Sequence, residues 1–215
     1  KEDGREIKFI DTEEGRLSVE SAEDIIDYET GLVSISHMSN VFGAENPVEE
    51  IIEIAKAHNA IVLLDAAQSV PRMPVDVQDL DIDLMAFSGH KMLGPTGIGV
   101  LYGEKHVLES MAPYQVGGGM IKSVKKDSTS WEDPPEKFEA GTPNVAGAVG
   151  LGAAIDYLEQ FDMEEIKQHD IKLTAKMVEG LEKIEGVDVL SPQGSSLVLF
   201  VADWAHPHDV AEVLN

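Results

Sequence analysis

The sequence has 215 residues, of which 43% are hydrophobic and 26% charged, enough apolar material for one large or two small domains and too much for a disordered chain. Forty acidic against 16 basic residues give a net charge of −24, a field that repels nucleic-acid phosphates and anionic lipid, so neither nucleic acid nor membrane is expected as a partner. There is no cysteine, which removes disulfides, cysteine-ligated zinc, iron–sulfur clusters and any thiol nucleophile from these residues.

No apolar run approaches the ~20 residues of a membrane helix, and the opening Lys1, Glu2 and Asp3 differ from a basic-then-apolar leader. A cytoplasmic protein is expected. The acids are spread along the chain, a pattern that fits either a salt-rich cytoplasm or an ordinary acidic enzyme kept soluble by self-repulsion.

In chain order, Ile7 to Ile10 reads as a strand without a preceding partner, and Leu32 to Ser36 as a second strand leading into a loop from His37 to Glu45. Asn46 and Pro47 then offer an N-cap and a first-turn proline for a helix from Val48 to about His58, with Ile51, Ile52, Ile54 and Ala55 on its buried face. The continuous run Ala60 to Leu64 suits a strand covered on both faces, and it stops at Asp65. Leu84 to Phe87 forms the next short strand and ends on Ser88-Gly89-His90-Lys91. A glycine-rich turn, Gly94 to Gly97, leads into a strand from Gly97 to Gly103.

Val124 to Pro135 reads as a long mobile loop. Asn144 to Gln160 reads as a core helix with Val145, Val149, Ala153 and Tyr157 along one stripe, and Met163 to Ile184 as a more polar helix on the surface. Val187 to Leu190 and Ser196 to Val201 are strand-like, and His208 to Asn215 is helical, so both ends of the chain read as interrupted elements. The alternation of strands and helices predicts an α/β fold, a mainly parallel sheet with flanking helices. There is no internal repeat and no low-complexity segment.

Ligands of an open α/β sheet sit beyond the carboxyl ends of its strands. Three strand ends here carry suitable groups: Asn40 after the first strand of the series, Asp65 and Gln68 after the second, and Ser88, His90 and Lys91 after the third. Together these supply a carboxylate, an amine, a hydroxyl, an imidazole and amides, a set able to surround an anionic, ring-containing cofactor. Singly, each has an ordinary reading: Asp65 as a cap for the next helix, Lys91 as a solvated lysine, Ser88 and His90 as turn residues, and the glycines as positions of positive φ. The remaining histidines, His37, His58, His106, His169, His206 and His208, are scattered and predict no metal site. Gly117-Gly118-Gly119 does not follow a strand and open a helix as a dinucleotide fingerprint requires, and neither a nucleophile elbow nor a phosphate loop is present.

The strings SHMSNVFGAENPVEEI, VLLDAAQSVPRMPVDVQDLDID, FSGHKMLGPTGIGVLYG and FEAGTPN, in this order and spacing, resemble the Suf-type (group II) cysteine desulfurases and selenocysteine lyases. These are pyridoxal-phosphate enzymes of the class V aminotransferase group. The resemblance implies the large domain of a type I pyridoxal-phosphate transferase over residues 1–160, and the beginning of a small α+β C-terminal domain over 161–215. It implies Lys91 as the lysine that holds pyridoxal 5'-phosphate as a Schiff base and moves the substrate Cα proton. Asp65 would pair with the pyridine nitrogen. Gln68 and Asn40 would hydrogen-bond the phenolic oxygen, Ser88 and His90 would bind the phosphate, and Thr142 would reach the phosphate of the partner subunit in a homodimer.

The reaction so implied converts L-cysteine, or L-selenocysteine, to L-alanine with sulfur transfer to an enzyme persulfide. Sulfur-acceptor or iron–sulfur scaffold proteins would then be partners. Members of the family run to about twice this length, and the resemblance places their first phosphate loop and ring-stacking histidine before Lys1, and their substrate arginine and catalytic cysteine after Asn215. Two other readings stand beside this one: an inactive fragment or scaffold of the same fold, and another class V lyase or transaminase.

Overall fold

A computed structural model describes residues 4–215. The first elements are a minimal antiparallel hairpin, β1 (Thr12–Glu13) and β2 (Arg16–Leu17), and helix α1 (Val19–Ile25). Then come β3 (Leu32–Ser36), α2 (Val48–Ala57), β4 (Ile61–Asp65), β5 (Leu84–Ser88), a 3-10 turn Gly89–Lys91, and β6 (Gly99–Gly103). After α3 (Lys105–Ser110) stand the hairpin strands β7 (Ile121–Val124) and β8 (Thr129–Trp131), and the long helices α4 (Val145–Leu158) and α5 (Met163–Leu181). The antiparallel pair β9 (Val187–Val189) and β10 (Phe200–Ala202) and helix α6 (Pro207–Leu214) end the chain.

The central sheet has the order β3-β4-β5-β6. Its first three strands are parallel and β6 returns antiparallel to β5, so the expected α/β class holds with a mixed, mostly parallel sheet. The apolar runs of β3 and β4 bury Val33, Ile35, Val62 and Leu64, and α2 packs Val48, Ile51, Ile52 and Ala55 onto them. Those four positions have the i, i+3, i+4, i+7 spacing that places side chains on one helix face. Glu49 and Glu50 in the first turn and Lys56 in the last suit the helix dipole. Behind the strands, the buried Asp83 carboxylate accepts from Val62 N at 2.7 Å and from Lys56 Nζ at 2.8 Å, fixing α2 to the sheet.

Four expectations need correction. Ile7 to Ile10 is not a strand; the chain there runs unpaired before the β1–β2 hairpin. Asn46 does not cap α2. Pro47 occupies the cap position without a side-chain bond, and the Asn46 amide instead accepts from Leu17 N at 2.9 Å and donates to Ser36 O at 2.7 Å. Within Val124 to Pro135 the chain forms the second arm of the β7–β8 hairpin, with Lys125 N donating to Ser128 O at 2.8 Å and Ser123 Oγ 2.8 Å from Ser130 Oγ. Finally, α4 buries Gly147, Leu151, Ala154 and Leu158, while Val145, Val149 and Tyr157 are 61%, 69% and 50% exposed, the opposite phase to the predicted stripe.

Residues 161–215 meet the rest of the chain through Ile166, packed on the Met92–Leu151–Leu158 cluster, and through polar ties. Arg72 pairs with Asp170 at 2.7 Å, Lys167 with Glu45 at 2.9 Å, and Ser196 N donates to Gly43 O at 3.0 Å. As expected of a surface helix, α5 has no fully buried residue.

Candidate functional site

The carboxyl ends of β3, β4 and β5 share one edge of the sheet. β4 ends on Asp65, level with Ser36 of β3 and Ala86 of β5. Ser88 closes β5 two residues later, about 7 Å further along at ~3.3 Å per residue. This edge therefore gathers Asp65, Gln68, Ser88, His90 and Lys91, with Asn40 on the adjoining loop.

The Gly89–Lys91 turn is held by its glycine. Gly89 N donates to Ile98 O at 2.9 Å, and Gly89 O accepts from Met92 N at 3.0 Å and from Gly94 N at 2.9 Å. A Cβ on Gly89 would stand 2.7 Å from Ile98 Cγ2, so a side chain there would push the glycine turn away from the strand end. The consequence is that His90 and Lys91 project outward, both exposed. Among the described residues, no carboxylate pairs with Lys91, in contrast to Lys56 and Lys167. Its amine is free to meet an electrophile or an anion.

Asp65 is exposed as well, and its Oδ1 accepts from Ala67 N at 3.0 Å. One oxygen thus caps the turn after β4, the ordinary role for such a residue, while the carboxylate remains accessible at the strand end. Gln68, half-buried, lies within that turn. Thr142 stands apart on the segment before α4. That segment is anchored by Gly141 N donating to Gly118 O at 2.8 Å and by Asn144 Nδ2 donating to Gly97 O at 3.1 Å, which ties it to both glycine turns while Thr142 itself is exposed.

Asn40 is carried at the tip of a closed loop. Met38 and Glu45 form a bridge, Ser39 N donates to Ala44 O at 2.8 Å, and Asn46 N donates to His37 O at 2.9 Å. Ser39 Oγ accepts from Val41 N and Phe42 N at 3.2 and 3.1 Å. Two residues absent from the sequence-derived site hold the base of this loop, Asn46 and His37. His37 is 4% exposed and its Nδ1 has no hydrogen-bond partner among the described residues. Burial pushes its pKa below the ordinary histidine value; Glu45 opposes that shift and Lys167 adds to it. The signal for His37 was present: Val33, Ile35 and His37 continue one period-2 series, and all are buried. Asn46 had no comparable signal, because both of its side-chain partners are distant in sequence.

The sequence matches the aminotransferase class-V family over residues 1–215. It is 51% identical over 203 residues to the probable cysteine desulfurase of Halalkalibacterium halodurans, covering 94% of this chain and 50% of that protein. It is 44% identical over 219 residues to the cysteine desulfurase of Haloferax volcanii, covering 100% of this chain and 51% of that protein. The chain thus spans about half the length of the curated relatives it matches. Among solved structures, the apo cysteine desulfurase of Thermococcus onnurineus NA1 superposes with a TM-score of 0.90 at 41% identity, over 96% of this chain and 53% of that one. The C-DES lyase, with glycine covalently linked to its PLP cofactor, superposes with a TM-score of 0.79 at 28% identity, over 92% of this chain and 54% of that one.

Proposed function

The chain belongs to the aminotransferase class-V family, and from that premise we propose that it forms part of a pyridoxal-phosphate-dependent cysteine desulfurase. The overall change is L-cysteine plus a protein thiol to L-alanine plus a protein persulfide, which balances without an added oxidant or reductant. The observation that carries this reading is the shared strand edge: an exposed carboxylate on Asp65 at the end of β4, and at the end of β5 Ser88, His90 and the exposed amine of Lys91, which among the described residues no carboxylate pairs. That donor set fits pyridoxal phosphate, which needs one amine for its aldehyde, one anion for its ring nitrogen and several donors for its oxygens.

When bound, pyridoxal phosphate supplies an electron sink for the carbanion left at the substrate Cα. Asp65 keeps a proton on the ring nitrogen. Lys91 would hold the cofactor through its aldehyde and would move the proton at the substrate Cα. Gln68 and Asn40 would hydrogen-bond the ring oxygen, and Ser88 and His90 would hold the phosphate. Thr142 serves the phosphate of the partner subunit in a homodimer. The attacking thiolate comes from a cysteine outside these 215 residues, since they contain none.

The same reading assigns residues 1–160 to a cofactor-binding domain and 161–215 to the start of a second one, supported by the separate β9–β10 sheet and the polar ties between the two parts. Among the described residues no helix is long and apolar enough to cross a membrane. We place the enzyme in the cytoplasm, with L-cysteine or L-selenocysteine as substrate and a sulfur-acceptor or iron–sulfur scaffold protein as the onward partner. The test is a visible-absorption titration with pyridoxal phosphate of the wild type, Lys91→Ala and Asp65→Ala. A new band in the wild type, lost in Lys91→Ala and requiring more cofactor in Asp65→Ala, is the expected result. Equal behaviour of all three would contradict the reading.

A further inference from the structure

His37 presents a buried polar group that the proposed chemistry does not use. Its backbone joins two parts of the site: His37 N donates to Asp65 O at 2.9 Å, and His37 O accepts from Asn46 N at 2.9 Å, closing the loop that carries Asn40 three residues on. His37 also borders a cleft lined by Arg16, Glu45, Asn46, Glu49 and Asp76. Glu45, at the far side of the loop, bridges to Met38 and is gripped by Lys167 of α5 at 2.9 Å. Beside that ion pair is a second, Arg72 with Asp170. In the same small cleft Ser196 Oγ lies 3.1 Å from Met38 Sδ and Ser196 N donates to Gly43 O at 3.0 Å. The loop is therefore clasped between the sheet edge and residues 161–215, with His37 buried at its base.

We propose that His37 is a positioning residue: its buried ring, at the base of the loop 38–45, sets the placement of Asn40, and the Lys167–Glu45 pair couples that placement to α5. The physical ground is the unpaired Nδ1. An apolar residue would fill the space without leaving a nitrogen unbonded, whereas an imidazole there can be driven out by one proton, because a charged ring without a hydrogen-bond partner is poorly tolerated in a buried site. The groups facing it set the threshold. Lys167 on α5 opposes protonation and Glu45 on its own loop favours it; Arg72 and Asp170 beside them form a closed pair, and the cleft side presents Arg16 together with the carboxylates Glu13, Glu14, Glu20, Glu49, Glu50, Asp76 and Asp79. Protonation would release the clasp and free the loop, and with it Asn40.

The importance of Asn40 rests on the function proposed above, so the test begins with a readout that needs no cofactor. The His37 ring and the amides of residues 38–45 are followed by nuclear magnetic resonance between about pH 5 and 8, the range in which histidine charge changes. The loop amides of the wild type are expected to shift with the ring's own midpoint, below the ordinary histidine value. That titration should vanish from the loop in His37→Gln, and in Lys167→Gln both midpoints should rise together. Loop amides that ignore the ring, or that titrate unchanged in His37→Gln, would overturn the inference.

Pyridoxal phosphate affinity supplies the second readout. Below the His37 midpoint the wild type should lose affinity by up to about tenfold per pH unit relative to His37→Gln. Parallel affinities across the range would overturn the link from His37 to the cofactor. A loop that follows His37 in a protein with no Lys91-dependent cofactor band at any pH would uphold the positioning role and refute the proposed function.

Discussion

Replacing Asn46 by alanine removes the side chain that ties the β1–β2 hairpin to the end of β3. Asn46 is 8% exposed, and its amide accepts from Leu17 N at 2.9 Å and donates to Ser36 O at 2.7 Å. Each bond contributes about 1–1.5 kcal/mol net, and each leaves a partly buried backbone group without a partner. The loss expected for Asn46→Ala is therefore about 2–3 kcal/mol, or about 4–12 °C in Tm for a chain of this size. Urea unfolding followed by circular dichroism measures it. Asn46→Asp sharpens the reasoning, since a carboxylate can still accept from Leu17 N but must bind a proton to donate to Ser36 O. Its pKa in the folded state would then lie above the unfolded value near ~3.9. The folded state binds the extra proton, so stability relative to wild type falls as pH rises through that value. A change below about 0.5 kcal/mol in the alanine variant, within the range of ordinary surface substitutions, or an aspartate variant with no pH dependence, would refute the assignment.

Three further outcomes rest on the same geometry. Asp83→Ala strands the Val62 amide and leaves Lys56 unpaired, for a loss of about 3–5 kcal/mol; a double-mutant cycle with Lys56→Met in urea should show strong coupling, and additivity would refute the pairing. Gly43 has a φ of +68°, and a Cβ there would stand 2.6 Å from Leu197 Cγ and Leu197 N, so Gly43→Ala should lose at least about 2 kcal/mol and speed hydrogen exchange at Ser196 N. The His37 pKa is lowered by folding, so the unfolded state takes up the proton first. Its contribution to stability is complete above the ordinary histidine value, about 6.5, and declines as pH falls below it. The urea midpoint of the wild type should accordingly fall more than that of His37→Gln on acidification, and equal slopes would contradict the burial argument.

The sheet was legible because β3, β4 and β5 are apolar runs of strand length bounded by polar residues, and α2 announces its face at Val48, Ile51, Ile52 and Ala55. The misreadings have definite causes. In α4 nearly every position is apolar or small, so periodicity carries no phase, and the buried stripe at Gly147, Leu151, Ala154 and Leu158 is set by tertiary packing against Met92 and the glycine turn. The β7–β8 hairpin consists of two short, largely exposed strands, IKSV and TSW, joined by Lys125, Lys126, Asp127 and Ser128, and that polar turn reads as a loop. Ile7 to Ile10 has the alternation of a strand but no neighbour to pair with among the described residues. At the site, the strand-end groups Asp65, Ser88, His90 and Lys91 were visible because a polar residue ending an apolar run is a local signal. The burial of His37 was legible as the continuation of the Val33, Ile35 series, but the ties made by Asn46 and by the Glu45–Lys167 pair were not, because they join residues far apart in sequence.

The central claim is that Lys91 is the residue that takes up pyridoxal phosphate. The most direct measurement is to incubate the protein with the cofactor, reduce it with borohydride, digest it and map the added mass by peptide sequencing in a mass spectrometer, with Lys91→Ala as control. One stoichiometric adduct on Lys91, absent from the variant, is the predicted result. Adducts scattered over other exposed lysines, or an equal yield in Lys91→Ala, would contradict it.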